Sequence, residues 1–252
     1  MIIQSSVFAQ GFNWQYSARL PFTYPYLFAG LNGNVNLLYH DTNLNLSEGK
    51  GDCCNYKIGR GIGSNFGLDV EYWLNWDLAV NLKLGYSINE GNFIADGSQL
   101  PFSVFDSEHR VIGHDTAYFE NEMTSRLNYL TLRAGGKLRL FGSHFHVGVS
   151  VGVSYLLSSR LIQTERVLRP GYWVYSDGSR QRLIADYILS DISNIYLSPG
   201  ISFGYDLPLT LGIYATPNVS LGFPFMNMAD KGKWQTWYLS FGISVFNSIL
   251  SK

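Results

Sequence analysis

Over residues 145–159 the sequence FHVGVSVGVSYLLSS alternates without a break. Phe145, Val147, Val149, Val151, Val153, Tyr155 and Leu157 fall on one side; His146, Gly148, Ser150, Gly152, Ser154 and Ser158 fall mostly on the other. A period of two is that of a β-strand, and the apolar side covers the roughly 9–11 residues with which a tilted strand crosses a bilayer. The pattern recurs over 26–39, 63–74, 78–88, 127–141, 195–205, 209–223 and 236–246, where Leu, Val, Ile and aromatic residues alternate with Asn, Ser, Gly and a few charges. Tight turns around Trp76, Gly142-Ser143 and Leu207-Pro208 are interleaved with long connections over 40–62, 89–126 and 160–194 and a shorter one over 224–235. The third long connection, with turns at Pro170-Gly171 and Asp177-Gly178, reads as a hairpin standing above the membrane. The expected fold is all-β: an eight-stranded antiparallel up-and-down transmembrane β-barrel over 26–246, its short turns periplasmic and its long loops outside.

A soluble lipocalin-like barrel alternates too, with its polar face in water. Here that face is chiefly Gly, Ser, Thr and Asn, which suits the crowded lumen of a small barrel better than a solvated surface. The charges on it, Asp69, Glu71, Lys83, Arg133, Lys137 and Arg139, are mixed in sign and lie on adjoining segments. They are expected to form a lumen charge network, with Asp69 across from Lys83 if the hairpin folds about Trp76. Such a network reads either as a plug or as the lining of a narrow pore.

Composition agrees. Charged residues are 15% of the 252, against roughly 25% in an ordinary soluble protein. Net charge is −1, which argues against a nucleic-acid partner. A run of about 18 apolar residues, as a membrane helix needs, does not occur. Aromatic residues near segment ends, Tyr39, Tyr72, Trp73, Trp76, Tyr86, Tyr155, Tyr205, Trp234 and Trp237, are placed to supply interfacial girdles. Residues 1–9 read as the remnant of a secretory signal peptide ending at Ala9, 10–25 as a periplasmic lead-in, and 247–252 as a C-terminal tail.

The pair Cys53-Cys54 followed by GRGIG at Gly59 to Gly63, the stretch YLLSSRLIQTERVLRP from Tyr155, SDGSRQR from Ser176 and GYDLPLTL from Gly204 resemble the N-terminal β-barrel domain of OmpA-like outer-membrane proteins. The resemblance spans most of the chain and implies a cell outer membrane location with an anchoring role. Full-length members of that family continue into a peptidoglycan-binding periplasmic domain, whereas this sequence stops at Lys252; the second domain was cut away or the barrel stands free. Phe246 lies near the end without being terminal.

Little points to chemistry. His40-Asp41 and His114-Asp115 fall in predicted loops and read as solvated residues, since an adjacent His-Asp pair defines neither a triad nor a metal cage. His146, with Ser150 four residues on, reads as a hydrogen-bonded lumen histidine. Cys53 and Cys54 either close a vicinal disulfide or remain free. The clustered Tyr172, Trp173 and Tyr175 are candidates for recognition at a loop surface. The expected role is structural or loop-mediated, non-enzymatic and without cofactor or metal. Its partners would be the lipid bilayer and an envelope or extracellular protein. The alternatives are a small passive pore, an outer-membrane enzyme with a loop-borne site, and a soluble lipocalin-like ligand binder.

Overall fold

A computed structural model describes residues 25–45, 55–75, 77–189, 192–210, 212–230 and 232–251. The presumed signal remnant, nearly all of the lead-in, Trp76 and the Cys53-Cys54 pair lie outside the described residues. Among the described residues ten strands form: β1 Pro25–Asn45, β2 Asn55–Trp73, β3 Leu78–Phe105, β4 Val111–Arg139, β5 Phe145–Arg169, β6 Gln181–Tyr187, β7 Ile195–Tyr205, β8 Leu207–Thr210, β9 Ile213–Gly222 and β10 Lys233–Ser251. Eight of them close an antiparallel ring in the order β10, β1, β2, β3, β4, β5, β7, β9, with β9 pairing back to β10. The short β6 pairs beside β5, and β8 folds onto β9. Closure gives each of the eight ring strands a partner on both sides, the condition a sheet must meet in hydrocarbon.

The outer wall of the ring is apolar. Leu31, Val35, Phe66, Leu68, Leu82, Leu84, Leu132, Val149, Val151, Phe203, Phe241 and Ile243 all point outward and lie exposed. An apolar belt encircling the molecule far exceeds the few hundred Å² that a water-soluble monomer tolerates, so it faces lipid. Aromatic contacts border it: Tyr26 on Tyr72 and Phe145 on Tyr205 at the tight-turn end, and Phe223 on Trp237 at the other. Two residues expected in the girdles belong inside instead. Trp73 and Trp234 are 7% and 1% exposed, because each shares the inward parity of its strand, with Glu71 and Thr236 respectively.

The strands run well past the membrane. Ladder pairs of β3 and β4 extend from Leu78↔Leu138 to Phe105↔Val111, so the expected loop over 89–126 is instead one continuous hairpin closed at 106–110. The reason is an inversion of polarity. Below residue 89 of β3 the outward face is apolar and the inward face polar; beyond it Glu90 and Asn92 point out, while Phe93 and Ala95 point in. On β4, Arg126 points out and Met123 and Leu127 point in. Water has replaced lipid as the outer solvent, so the apolar residues move inside. Pairs Arg126–Glu90, Arg166–Glu120, Arg160–Asp186 and Lys233–Asp41 form a charged collar on the outer surface of this extension.

A β-bulge helps the change on β5. Tyr129 of β4 pairs with Leu156 and Asn128 with Ser158, which leaves Leu157 unmatched. The extra residue shifts the parity: Leu157 and Ser158 both point out, and Ser159, Leu161 and Gln163 point in. Ser158 is thus not on the lumen face that the sequence pattern suggested.

Candidate functional site

Three layers fill the barrel, and each is built by side chains of one parity. At the tight-turn end Phe28, Trp73, Ala79, Tyr214 and Phe246 form an apolar floor, with Tyr214 stacked on Phe246 at 4.8 Å and edge-on to Phe28 at 5.0 Å. Phe246 therefore points into the lumen, and β10 continues beyond it to Ser251.

Directly above the floor lies an ion-pair network. Lys137 Nζ sits 2.8 Å from Asp206 Oδ1 and 3.1 Å from Glu71 Oε2, with all three side chains almost fully buried. Arg139 reaches Asp206 Oδ2 at 3.2 Å and lies 3.9 Å over the Trp73 ring. Glu71 Oε1 accepts the Tyr214 hydroxyl at 2.6 Å, and Asp206 Oδ1 accepts Thr216 Oγ1 at 2.9 Å. Asp69 and Lys83 stand directly opposite in the β2–β3 ladder and pair at 2.7 Å. Of the six charges proposed from sequence, five meet in this network; Arg133 sits apart, with Ser150 Oγ at 3.3 Å, Ser198 Oγ at 3.5 Å and the Tyr238 ring at 5.5 Å. Asp206 escaped the sequence reading because it borders the turn expected at Leu207-Pro208, and Tyr214 because the pattern over 209–223 marks a strand without its faces being assigned. The signal was present, since Asp206 follows Ser202 and Gly204 in the inward parity of β7. His146 Nδ1 lies 3.6 Å from Asp206, so it joins this network rather than Ser150.

A cavity of about 150 Å³ lies at mid-barrel, lined by asparagines and serines together with Tyr238 and the charged Glu71, Lys83, Arg133 and Lys137. Above it the lumen closes again. Tyr56, Phe93, Met123, Leu127, Tyr129, Leu161, Tyr196 and Trp234 pack into an apolar core, and the last connection lays Met228 and Ala229 onto it. Ile192 bridges to Ala229, and Asn227 ties the connection to Trp234 through a 2.6 Å bond from the Trp234 amide.

His40 belongs to this outer core. It is 1% exposed, and its Nδ1 accepts Trp234 Nε1 at 3.2 Å, so it is no solvated loop residue. Asp41 points the other way, to Lys233, and alternation on β1 keeps the pair from sharing a site. His114 lies near the hairpin tip, where Ser103 Oγ is 3.3 Å from its Nδ1, while Asp115 is engaged by Tyr172. A serine nucleophile needs a base that a third group orients, and Asp115 is turned elsewhere. Among the described residues there is no metal-type cluster of His, Cys, Asp and Glu.

The aromatics of the third connection pin one hairpin of the extension to another. Trp173 packs edge-on to Phe119 at 5.2 Å and against Tyr175 at 5.2 Å, and the Tyr175 hydroxyl donates to Glu165 at 2.7 Å. Burial, reinforced by that carboxylate, pushes the Tyr175 phenol up. Tyr172 is well exposed, and its hydroxyl donates to Asp115. That bond holds the Asp115 carboxyl below the usual carboxylate range and pushes the Tyr172 phenol up.

Neither a protein-family model nor a curated protein matches the sequence. Solved structures similar to the chain include Neisserial surface protein A (10% identity, 86% of this chain and 96% of that one, TM-score 0.35). Ail, the attachment invasion locus protein of Yersinia pestis, matches at 13% identity over 87% of this chain and 97% of its own, TM-score 0.34. The outer membrane protease OmpT of Escherichia coli matches at 10% identity over 89% and 97%, TM-score 0.38. The closed ring, lipid-facing belt and opposed short and long ends of this chain make it an eight-stranded barrel of the outer-membrane type.

Proposed function

We propose that the chain is a non-conducting outer-membrane scaffold that holds a rigid β-platform outside the cell and engages another surface through its tip. The observation that carries this reading is the β3–β4 ladder, which runs from the membrane to a turn braced by Asp106 with only two local register shifts, between Asp96 and Gln99 and between Val104 and Phe105. Asp106 Oδ1 accepts the amides of Glu108 at 2.8 Å and Arg110 at 2.9 Å, and that bonding holds its carboxyl below the usual range. Beside this turn Phe105, Val111 and Ile112 are exposed although they lie outside the lipid belt, and apolar side chains so placed favour contact with another surface. The two apolar layers across the lumen support the non-conducting half of the reading.

Two measurements test it. Reconstituted protein in a planar bilayer is expected to give no steady conductance. Cells displaying a barrel whose β3 and β4 are joined by a two-residue turn between Ile94 and Glu122 are expected to keep heat-modifiable folding and to lose attachment to neighbouring cells and protein-coated surfaces. Steady ion flow through the wild type, or equal attachment by the shortened barrel, overturns the proposal.

A further inference from the structure

Every inward carboxylate of the membrane-spanning region is engaged at the floor: Asp69 by Lys83, Glu71 by Lys137, and Asp206 by Lys137 and Arg139. Against these three negative charges stand four positive ones, and the fourth, Arg133, has no carboxylate partner among the described residues. We propose that the mid-barrel cavity holds a small monovalent anion of the size of chloride or formate against the Arg133 guanidinium.

Several features point the same way. A guanidinium carries five N–H donors, and here only two long bonds to serine hydroxyls use them. Arg133 is half-buried, and a charge held inside the barrel without its counter-charge is costly, so the arrangement favours a mobile counter-ion. Two of the wall positions beside the head group, Gly152 and Gly200, carry no side chain. A Cβ on Gly152 would stand 3.2 Å from Arg133 Nη2, and one on Gly200 would stand 3.3 Å from Nη1. The same point on Gly200 is 3.6 Å from the Tyr238 hydroxyl, which is buried with no hydrogen-bond partner. A donor without an acceptor thus sits beside a cation without an anion, and one anion satisfies both. The Tyr238 ring itself lies 5.5 Å from the guanidinium carbon. The cavity, about 150 Å³, admits chloride, bromide or formate with some water and is too small for a sugar acid or a nucleotide.

The test refolds the full chain in detergent at one ionic strength, with gluconate as the bulky reference anion and chloride, bromide or formate titrated in. The urea midpoint of the wild type is expected to rise and saturate with each small anion, as binding to the folded state alone requires. Arg133→Met is expected to lose that dependence, Arg133→Lys to keep part of it, and Tyr238→Phe to need a several-fold higher anion concentration. Saturation-transfer NMR on the wild type with ¹³C-formate reads occupancy without any variant; signal passing from the Tyr238 ring protons to formate is expected. The proposal is overturned if Arg133→Met keeps the same saturable dependence, or if the wild type does not distinguish small anions from gluconate and formate receives no signal. Water alone would then solvate Arg133.

Discussion

Replacing Leu82 by arginine, and separately Ile94 by arginine, puts the same charge on the same outward face of β3 at two levels. Leu82 is 48% exposed with apolar Val70 and Ala134 on either side; Ile94 is 60% exposed and faces Glu122 across the ladder. At about 3.3 Å per residue the two sites lie roughly 40 Å apart along the strand, or about 30 Å in height at a tilt of 35–45°. If Leu82 sits near the bilayer midplane, its arginine costs about 2–4 kcal/mol, a factor of about 30 to nearly 1000 in the folding equilibrium. Ile94 lies in the charged collar, where a surface substitution stays within about 0.5 kcal/mol. The assay is reversible urea unfolding from lipid vesicles, followed by tryptophan fluorescence. Equal costs at the two sites, or a harmless Leu82→Arg, would refute the placement of the membrane and with it the polarity inversion.

Removing the cation at the centre of the floor network, Lys137→Met, leaves Glu71 and Asp206 buried without it and is expected to cost about 3–5 kcal/mol. The double variant with Glu71→Gln should recover part of that loss in the same unfolding assay, and strict additivity would argue against coupling. At the closure seam a Cβ on Gly30 would meet the Val245 carbonyl oxygen at 2.0 Å, so Gly30→Ala should destabilise by about 1–3 kcal/mol and lower the temperature at which the compact band is lost on gels. Because the Tyr172 bond favours the ionised form of Asp115, its support for hairpin docking is complete above the usual carboxylate range and fades as pH falls through the lowered value. NMR amide signals of Gly171 and Gly178 should report that acid transition, and Tyr172→Phe should abolish it; an unchanged transition in the variant would count against the contact.

The eight membrane strands were legible because one solvent, lipid, imposes one sign of alternation on all of them. The residues of β3 from 90 onward kept the period of two but reversed its sign, and a search for apolar-outward alternation ends where the outer solvent changes. Glu90 and Glu122 therefore read as loop residues although they sit in a ladder. Parity alone placed Asp69, Glu71, Lys83 and Lys137 on the lumen face, and applied to the ends of β2 and β10 it would have turned Trp73 and Trp234 inward. The bulge at Leu157 is a different matter: nothing in the run of residues around it marks the skipped pairing, which is set by the register of β4. The contact of Tyr172 with Asp115 depends on how two hairpins lean together, which no local pattern encodes.

The charged collar also bears on how the molecule reaches its final place. Four outward ion pairs and the apolar core behind them cannot pass through hydrocarbon once assembled, since each charge would enter the bilayer at the cost that keeps such residues off its lipid face. The extension of β3, β4 and β5 therefore assembles in the water beyond the bilayer, where its outward charges are solvated. Folding there acts as a ratchet: the assembled extension is too polar outside to slip back, so the direction of insertion is fixed by the same inversion that lets one ladder serve two solvents.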